Sequence, residues 1–456
     1  MKQHYKLLFI SVFCGLLAAI SCDTAFCGVS AQEAERLKST LTPLGAEKAG
    51  NKEGTIPAWD GGLTKTAPGF VNGGKRPDIF PNEKPLYSIK AVNMDQYADK
   101  LNEGTKAMLK KYPDTYQIDI YPTHRTHAAP QWVYDNTYLN ATRGEMNGDV
   151  PVKVYGGTPF PVPQSGKEVI WNHLLRWRGT AWHTDFTGWM GTDTGKLVML
   201  LESKNDQQSS YYLSSGSLDS YDGLYYLVRS INTGPPIRTG EAITGRISQV
   251  LDKTSTWVYI TGQRRVRKLP LSCCDTPTPF SAGMSSFDEV DIFLTTETIP
   301  RFDWNIVGKK EMFIPYNSNK FNEPGKAEDV FSDHFINPDH LRWELHRVWV
   351  VEAVLKEGQR HTSHKTRYYI DEDSWTAVLA DRWDAKGQLW RMLISVPISA
   401  PDIPATVNQS WGYYDLLGGS FFINVVMAGK AEQWKVMPPY PDSVFTPDAM
   451  AGEGVR

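Results

Sequence analysis

The sequence predicts an α+β fold in which helices pack on a large antiparallel sheet. The period of the apolar residues is helical in the first part of the chain and changes to two at about residue 180. Short strand-like runs follow, and turn-forming residues such as those at 384–387 separate them at hairpin spacing. A block of helices followed by a run of strands is typical of an α+β domain.

The part before residue 180 contains helices and a loop-like region. A short helical start is expected at 32–39, and residues 41–85 are loop-like because Gly and Pro are frequent there. Amphipathic or apolar periodicity indicates the longer helices. These are predicted over 93–112, 131–146 and 166–177.

The part after residue 180 supplies the sheet. The clearest strand runs from Trp343 to Leu355, where large apolar side chains recur at every second position. The other predicted strands are 196–202, 224–229, 255–260, 312–316, 367–370, 375–381, 389–397 and 419–426.

The amino terminus has the pattern of an export signal. A basic start precedes an uncharged apolar run from Leu7 to Ile20, which is short for a membrane span. Small residues at 29–31 predict cleavage there, so that residues 1–31 form a signal peptide. The segment 19–22 offers an alternative, in which Cys22 carries a lipid anchor. Either route predicts a periplasmic protein.

Composition and motifs exclude several classes of function. A net charge of −3 is too close to neutral for a nucleic-acid-binding surface. The chain has 15 Trp, 21 Tyr and 18 Phe, which suit a sheet face or an apolar cavity wall. The sequence contains no nucleophile elbow, phosphate loop or dinucleotide fingerprint. We therefore expect a protein that is not an enzyme and has no cofactor.

Histidine and acidic clusters do not have the spacing of metal sites. The pairs His124/His127 and His361/His364 lie in loop-like segments, so hydrogen-bonding roles are expected. The three acids at 371–373 lack the glycine and the distant glutamate of a calcium loop, and they are predicted to form a hairpin tip.

Two adjacent cysteines, Cys273 and Cys274, remain after the signal peptide. Neighbouring cysteines can close only a tight ring, so we expect no structural disulfide. The basic run at 264–268 just before them is predicted to be a solvated edge strand, because charge protects an edge from aggregation. Contact with anionic lipid headgroups or a partner is the alternative.

Several segments carry a family resemblance. Residues 255–270 resemble the strand, turn and basic strand of outer-membrane lipoprotein-sorting proteins, and residues 368–375 with 384–389 resemble the hairpin of that group. The mature chain as a whole is similar to a bacterial family of unknown function that is related to these sorting proteins. The segments that carry this wider resemblance are 41–51, 55–59, 112–116, 171–179 and 344–352.

The resemblance implies a LolA/LolB-like architecture. In that architecture a large curved antiparallel sheet forms an incomplete β-barrel, with helices packed in or across its concave face. Residues 166–456 would form this half-barrel, and the Gly/Pro-rich and helical region 32–165 would wrap on it as part of one continuous domain. The resemblance also implies an apolar cavity for acyl chains.

We therefore expect a periplasmic carrier or chaperone that binds a lipid or another hydrophobic molecule and passes it between envelope components. The resemblance implies an inner-membrane exporter of the resistance-nodulation-division type and an outer-membrane protein as partners. The alternative is an accessory subunit of such an exporter that binds protein and no small molecule. The predicted cavity-wall residues are Trp171, Leu175, Trp257, Tyr259, Trp349, Val351, Trp390 and Met392.

Overall fold

Two successive runs of antiparallel strands meet in one large sheet. The structure is a computed structural model, and it describes residues 28–453. Most of the predicted signal peptide, including Cys22, lies outside the described residues. The described helices are α1 (Ala31–Ala34), α2 (Glu103–Lys111), α3 (Gln131–Arg143), α4 (Gly166–Leu174) and α5 (Pro447–Glu453).

The strands alternate with short turns and, at one point, with a long connection. In chain order the described strands are β1 (Tyr87–Ile89), β2 (Ile118–Ile120), β3 (Glu145–Asn147), β4 (Val150–Val152), β5 (Ala181–Gly191), β6 (Leu197–Gln208), β7 (Leu224–Gly234), β8 (Ala242–Ser248), β9 (Ser255–Ile260), β10 (Arg265–Lys268), β11 (Phe302–Pro315), β12 (Trp343–Leu355), β13 (Lys365–Asp371), β14 (Ala377–Trp383), β15 (Leu389–Ala400), β16 (Ala405–Asp415), β17 (Phe421–Val426) and β18 (Lys435–Val436).

The sheet is open and almost wholly antiparallel. Strands β5 to β10 pair in sequence, β11 to β17 do the same, and β17 pairs with β5 to join the two runs. Strand β2 adds one parallel bridge to β12, and β3 pairs with β4 in a separate hairpin. In the order of the described strands, β10 lies at one end, whereas β11 pairs with β12 near the other end, which β2 and β1 form; β10 and β11 do not pair. The predicted α+β class with a large unclosed sheet is confirmed.

Both faces of the sheet are buried. The inner face, which bears Phe186, Val351 and Trp411, packs against α4 and the connection at 269–301. The outer face, which bears Val350 and Ile394, packs against α2 and the segment that follows β11. Because successive side chains of a strand point to opposite faces, each strand contributes side chains to two separate cores.

Helix α2 is held on the outer face by a buried carboxylate. Asp381 of β14 accepts hydrogen bonds from Asn102 Nδ2 at 2.7 Å and from the backbone amides of Glu103 and Gly104 at 3.0 and 2.9 Å. These bonds satisfy amides that a helix start leaves unpaired. The single helix predicted over 93–112 is therefore wrong in its first half. A 3₁₀ helix covers Met94–Lys100 before α2 begins.

Other predicted elements are confirmed with small shifts. The helices at 131–146 and 166–177 correspond to α3 and α4, and the strands at 255–260 and 343–355 are β9 and β12 with the predicted bounds. Strand β10 is an exposed basic edge strand, as predicted. Strands β5, β8 and β16 have no counterpart among the predicted strands.

The cysteine prediction is wrong. Cys273 and Cys274 are joined by a disulfide bond between neighbouring residues, and their Cα atoms are 3.7 Å apart. The left-handed backbone of Cys274 (φ 62°) makes the turn that lets the two side chains meet. Both residues are buried, at the start of the connection that crosses the inner face.

Candidate functional site

A long connection covers the inner face. Residues 269–301, here called the strap, run from edge strand β10 to β11, which pairs with β12 near the opposite end of the strand order. Ile292 and Phe293 of the strap are fully buried in the inner core. Tyr225 and Tyr413 donate hydrogen bonds from the sheet to strap carbonyls at 2.8 and 2.9 Å. The strap is thus the inner face's cover.

Two strap acids are anchored to β14 and β15 by buried ion pairs. Asp288 lies 3.0 Å from Arg382 Nη2 and 3.0 Å from His361 Nε2, and Glu289 lies 2.8 Å from Arg391 Nη1. Burial alone would raise the pKa of Asp288, but Arg382 and His361 hold it well below its usual value. The strap is therefore held by charge as well as by apolar contact.

A third strap acid is shared by two arginines. Asp291 pairs with Arg176 at 2.5 Å and with Arg178, both in the segment that follows α4. Asn408 Nδ2 donates to its other oxygen at 2.5 Å. Burial favours the protonated acid, but the two guanidinium groups outweigh it and lower the pKa of Asp291.

The sheet and the strap enclose a pocket of about 260 Å³, here called the mouth pocket. It lies where β7 and β9 end and β8 begins. Ile243 and Val258, which are directly opposite each other in the sheet, form its floor, and strap residues 277–283 cover it. The half-buried ion pair of Arg238 and Glu241, 3.0 Å long, also lines it.

A smaller cavity of about 40 Å³, here called the inner cavity, lies between the strap and strands β5, β7 and β16. Trp182, Tyr226, Trp411 and Trp434 form much of its wall. Phe280 of the strap lines both this cavity and the mouth pocket, and its ring stacks on that of Trp411 with centroids 6.4 Å apart. Phe280 therefore separates the two spaces.

One row of side chains connects the two spaces along the inner face. The residues are directly opposed from strand to strand, so their side chains project from the same face. Since neighbouring strands lie about 4.8 Å apart, the row from β5 to β9 spans about 19 Å. Its members, in order, are Thr184, Asn205, Ser230, Ile243 and Val258.

The structure does not bring the eight predicted cavity-wall residues together. Trp171, Leu175 and Val351 are fully buried in the inner core, and Trp349 packs against that core. Met392 is fully buried in the outer core.

The three other predicted residues lie elsewhere. Trp257 and Tyr259 form a small cluster with Met450 of α5, although Tyr259 also lines the mouth pocket. Trp390 is half-buried, with the Arg391 guanidinium carbon 4.2 Å from its ring centroid. Ligand contact by these eight residues stays a prediction.

Sequence reasoning missed Val258 and Phe280. A signal for Val258 exists, because a period of two places it on the opposite face of β9 from Trp257 and Tyr259. Sequence analysis favoured the bulkier aromatic residues of this strand instead. Phe280 carries no such signal, since its position depends on how the strap crosses the sheet.

A second group of buried charges lies at the hairpin between β13 and β14. As predicted, the acids at 371–373 form a hairpin tip, but the tip is buried. Ligand atoms of His346, Asp371 and Asp373 lie within 4.8 Å of one another, a spacing with which they could hold a metal ion. Arg125 occupies both oxygens of Asp373, at 2.7 and 2.9 Å. This pairing fixes the amino-terminal region to the sheet.

The comparison with protein families gives one match. Residues 88–451 match the family described as "Protein of unknown function (DUF1329)". The chain belongs to this family. It is 36% identical over 459 residues to the uncharacterized protein PA3922 of Pseudomonas aeruginosa, across 97% of this chain and 98% of that protein. The predicted membership of a family of unknown function is confirmed.

Solved structures show weaker similarity. A DUF1329 family protein from Desulfovibrio piger is 14% identical, with a TM-score of 0.40 over 60% of this chain and 92% of that one. A putative outer membrane lipoprotein-sorting protein domain from Vibrio parahaemolyticus is 12% identical, with a TM-score of 0.41 over 62% and 97%. A LolA superfamily protein from Nitrosomonas europaea is 10% identical, with a TM-score of 0.37 over 63% and 100%.

Proposed function

We propose that this protein is a non-enzymatic carrier or chaperone that holds a hydrophobic molecule between the strap and the inner face of the sheet. The mouth pocket carries the proposal. Its volume of about 260 Å³ is close to the lower end for small-molecule sites, and its walls are mostly apolar. Burying about eight methylene groups there would contribute about 6 kcal/mol, which suits reversible binding.

The strap gives the carrier a way to take up and release its ligand. If only apolar packing held the cover in place, opening it would expose buried core side chains to water. The strap also depends on ion pairs at Asp288, Glu289 and Asp291, whose partners lie on the sheet and after α4. Contacts that compete for these charges would loosen the strap without unfolding the sheet.

We place this carrier in the periplasm, on the predicted signal peptide at residues 1–31, with a lipid anchor at Cys22 as the alternative. No helix among residues 28–453 has the length and apolar character needed to cross a membrane. Its partners would be an inner-membrane exporter of the resistance-nodulation-division type and an outer-membrane protein, between which the ligand passes.

An accessory subunit that binds protein and no small molecule is the second candidate. The observation that favours it is the size of the inner cavity, about 40 Å³, since the strap fills most of the inner face. In that case the strap is a permanent part of the core, and the mouth pocket is a surface depression.

A probe-binding experiment separates the two candidates. Titration of the mature protein with a fluorescent fatty-acid probe should give saturable binding. Val258→Trp places a large ring in the mouth pocket and should weaken binding at least about tenfold, which corresponds to about 1.4 kcal/mol. The control is Leu417→Trp, which adds the same ring in an exposed turn between β16 and β17.

The outcomes are distinct. Binding that is lost in Val258→Trp and kept in Leu417→Trp supports a carrier that uses the mouth pocket. Equal binding by all three proteins rules out this pocket. Absence of binding by the unmodified protein contradicts the carrier and favours the accessory subunit.

A further inference from the structure

Three buried polar side chains around the inner cavity each have one polar atom without a hydrogen-bond partner within the described part of the protein. They are Thr184, Asn408 and Trp434, whose exposed fractions are 1%, 7% and 4%. The atoms concerned are Thr184 Oγ1, Asn408 Oδ1 and Trp434 Nε1. A buried polar atom without a partner costs about 1–3 kcal/mol. Three of them around one cavity indicate that a polar group belongs there.

The three atoms are complementary to a hydroxyl group. Trp434 Nε1 can only donate, Asn408 Oδ1 can only accept, and the Thr184 hydroxyl can do both. The orientation of the Asn408 amide is set, because its Nδ2 donates to Asp291 at 2.5 Å. A hydroxyl can accept from Trp434 and donate to Asn408 at the same time.

An ionised acid does not fit this set. A carboxylate has no proton to donate to Asn408 Oδ1, and it would lie beside the carboxylate of Asp291. Arg178, the cation that lines the cavity, is paired with Asp291 and lies over the rings of Trp182 and Tyr226, at 5.5 and 4.7 Å. Its Nη1 group therefore already donates to a carboxylate.

The size of the cavity restricts the polar group further. A water-sized group needs about 10–15 Å³, so a cavity of about 40 Å³ admits a hydroxyl but not a phosphate or sugar headgroup. Between this cavity and the mouth pocket lies Asn205, which is 1% exposed and whose two side-chain polar atoms also lack partners within the described chain. Along the row, the side chains are therefore polar from Ser230 to the inner cavity. They are apolar at Ile243 and Val258, in the mouth pocket.

We propose that the inner cavity binds the hydroxyl end of a long-chain alcohol, whose apolar chain lies over Ser230, Ile243 and Val258 in the mouth pocket. The inference rests on the proposed carrier function and names its class of ligand. Phe280 stands between the two spaces, and its ring moves aside when the ligand enters. The row of about 19 Å across β5 to β9 is the track along which the extended chain lies.

Competition binding tests the proposal with three probes of equal chain length: dodecanol, dodecanoic acid and dodecane. Each displaces the fluorescent fatty-acid probe from the mature protein. We expect dodecanol to bind more tightly than dodecane and dodecanoic acid. A neutral hydrogen bond contributes about 0.5–1.5 kcal/mol, so Thr184→Val should reduce the preference for dodecanol over dodecane roughly two- to tenfold.

Two further variants make the test independent of a folding defect. Trp434→Phe removes a different partner of the same hydroxyl and should reduce the preference in the same way. Thr244→Val removes a buried threonine hydroxyl of β8 that contacts Met450 Sδ at 3.6 Å, away from the inner cavity. It should leave the preference unchanged.

Each outcome bears on one of the two proposals. Equal binding of dodecanol and dodecane, or tighter binding of the acid, overturns the hydroxyl site and leaves the carrier function standing. A preference that survives in both Thr184→Val and Trp434→Phe also overturns the hydroxyl site. Failure of all probes to bind contradicts the carrier function itself.

Discussion

The two faces of the sheet are buried by different means. The outer face packs against α2 and the segment after β11, through a core of aliphatic and aromatic side chains such as Ile394 and Phe421. The inner face is covered by the strap, which is held by three acids and encloses two cavities. Under the proposed function, the outer face stabilises the fold and the inner face holds the ligand beneath the strap.

The arrangement of polar atoms sharpens this contrast. On the outer face, the buried carboxylate of Asp381 accepts hydrogen bonds from Asn102 Nδ2, the Gly104 amide and the Tyr369 hydroxyl, although Asn102 Oδ1 has no partner within residues 28–453. On the inner face, Thr184 and Asn205 have polar atoms without partners within residues 28–453. Under the proposed function, the unpaired atoms on the inner face are the ones that a ligand group completes.

The largest expected effect concerns the charges of the strap. Asp291→Asn leaves Arg176 and Arg178 without their shared carboxylate, and asparagine tolerates the left-handed backbone at this position (φ 54°). We expect the free energy of unfolding to fall by about 3–5 kcal/mol in urea denaturation. Asp442→Asn breaks an exposed ion pair with Arg246 and should cost less than about 1 kcal/mol. Equal effects would contradict the role assigned to the strap acids.

A core substitution on the outer face comes next. Ile394 is fully buried there, so Ile394→Ala should lower the free energy of unfolding by about 2–5 kcal/mol. Probe binding by the folded protein should not change, since Ile394 is on the face opposite the cavities. Ile237→Ala, at a residue that is 86% exposed, is the control and should change stability by less than about 0.5 kcal/mol. A change in probe affinity would contradict the claim that the outer face takes no part in ligand binding.

Acid should remove stability that the charges of the strap contribute. The pKa of Asp288 is held below the ordinary value of 3.8, so its ion pairs with Arg382 and His361 contribute stability above that value, which is lost as the pH falls through the lowered pKa. Urea unfolding measured from about pH 6 down to about pH 2 should show this decline, which begins near the unfolded-state pKa of 3.8. In Asp288→Asn the decline should be shallower. An identical slope would show that the pair contributes nothing.

The smallest expected effect on stability is at Phe280. This residue is half-buried, so Phe280→Ala should lower the free energy of unfolding by about 1 kcal/mol. The substitution also removes the ring that separates the mouth pocket from the inner cavity. Affinity for the fluorescent fatty-acid probe should rise roughly threefold, equivalent to about 0.6 kcal/mol. Phe80→Ala, at another half-buried phenylalanine, should leave the affinity unchanged. Weaker binding in Phe280→Ala would show that this ring is part of the binding wall.

Local pattern predicted much of the fold. Strands β9 and β12 have the predicted bounds, because their aromatic and β-branched residues alternate clearly. Strand β16 was not predicted, because Asn408, Gln409 and Ser410 interrupt its apolar pattern. Helix α2 begins late because its first amides bind Asp381, about 280 residues away, and no local signal contains that contact.

The candidate site was much less predictable than the fold. The row of side chains from Thr184 to Val258 lies on five strands. It can be recognised only when the register of all five strands is known. The ion pairs that Asp288 and Asp291 make with Arg382 and Arg176 join residues 94 and 115 positions apart. Sequence analysis favoured large aromatic residues such as Trp171 and Trp257, but the floor is made of smaller side chains.

The central claim is that the inner face holds a hydrophobic ligand, and native mass spectrometry tests it most directly. The protein is purified from the periplasm without detergent, and its intact mass is compared before and after solvent extraction. The account predicts a near-stoichiometric apolar molecule that extraction removes, and that is absent from Val258→Trp but present in Leu417→Trp. A bare polypeptide mass, together with no binding of the fatty-acid probe, would contradict it.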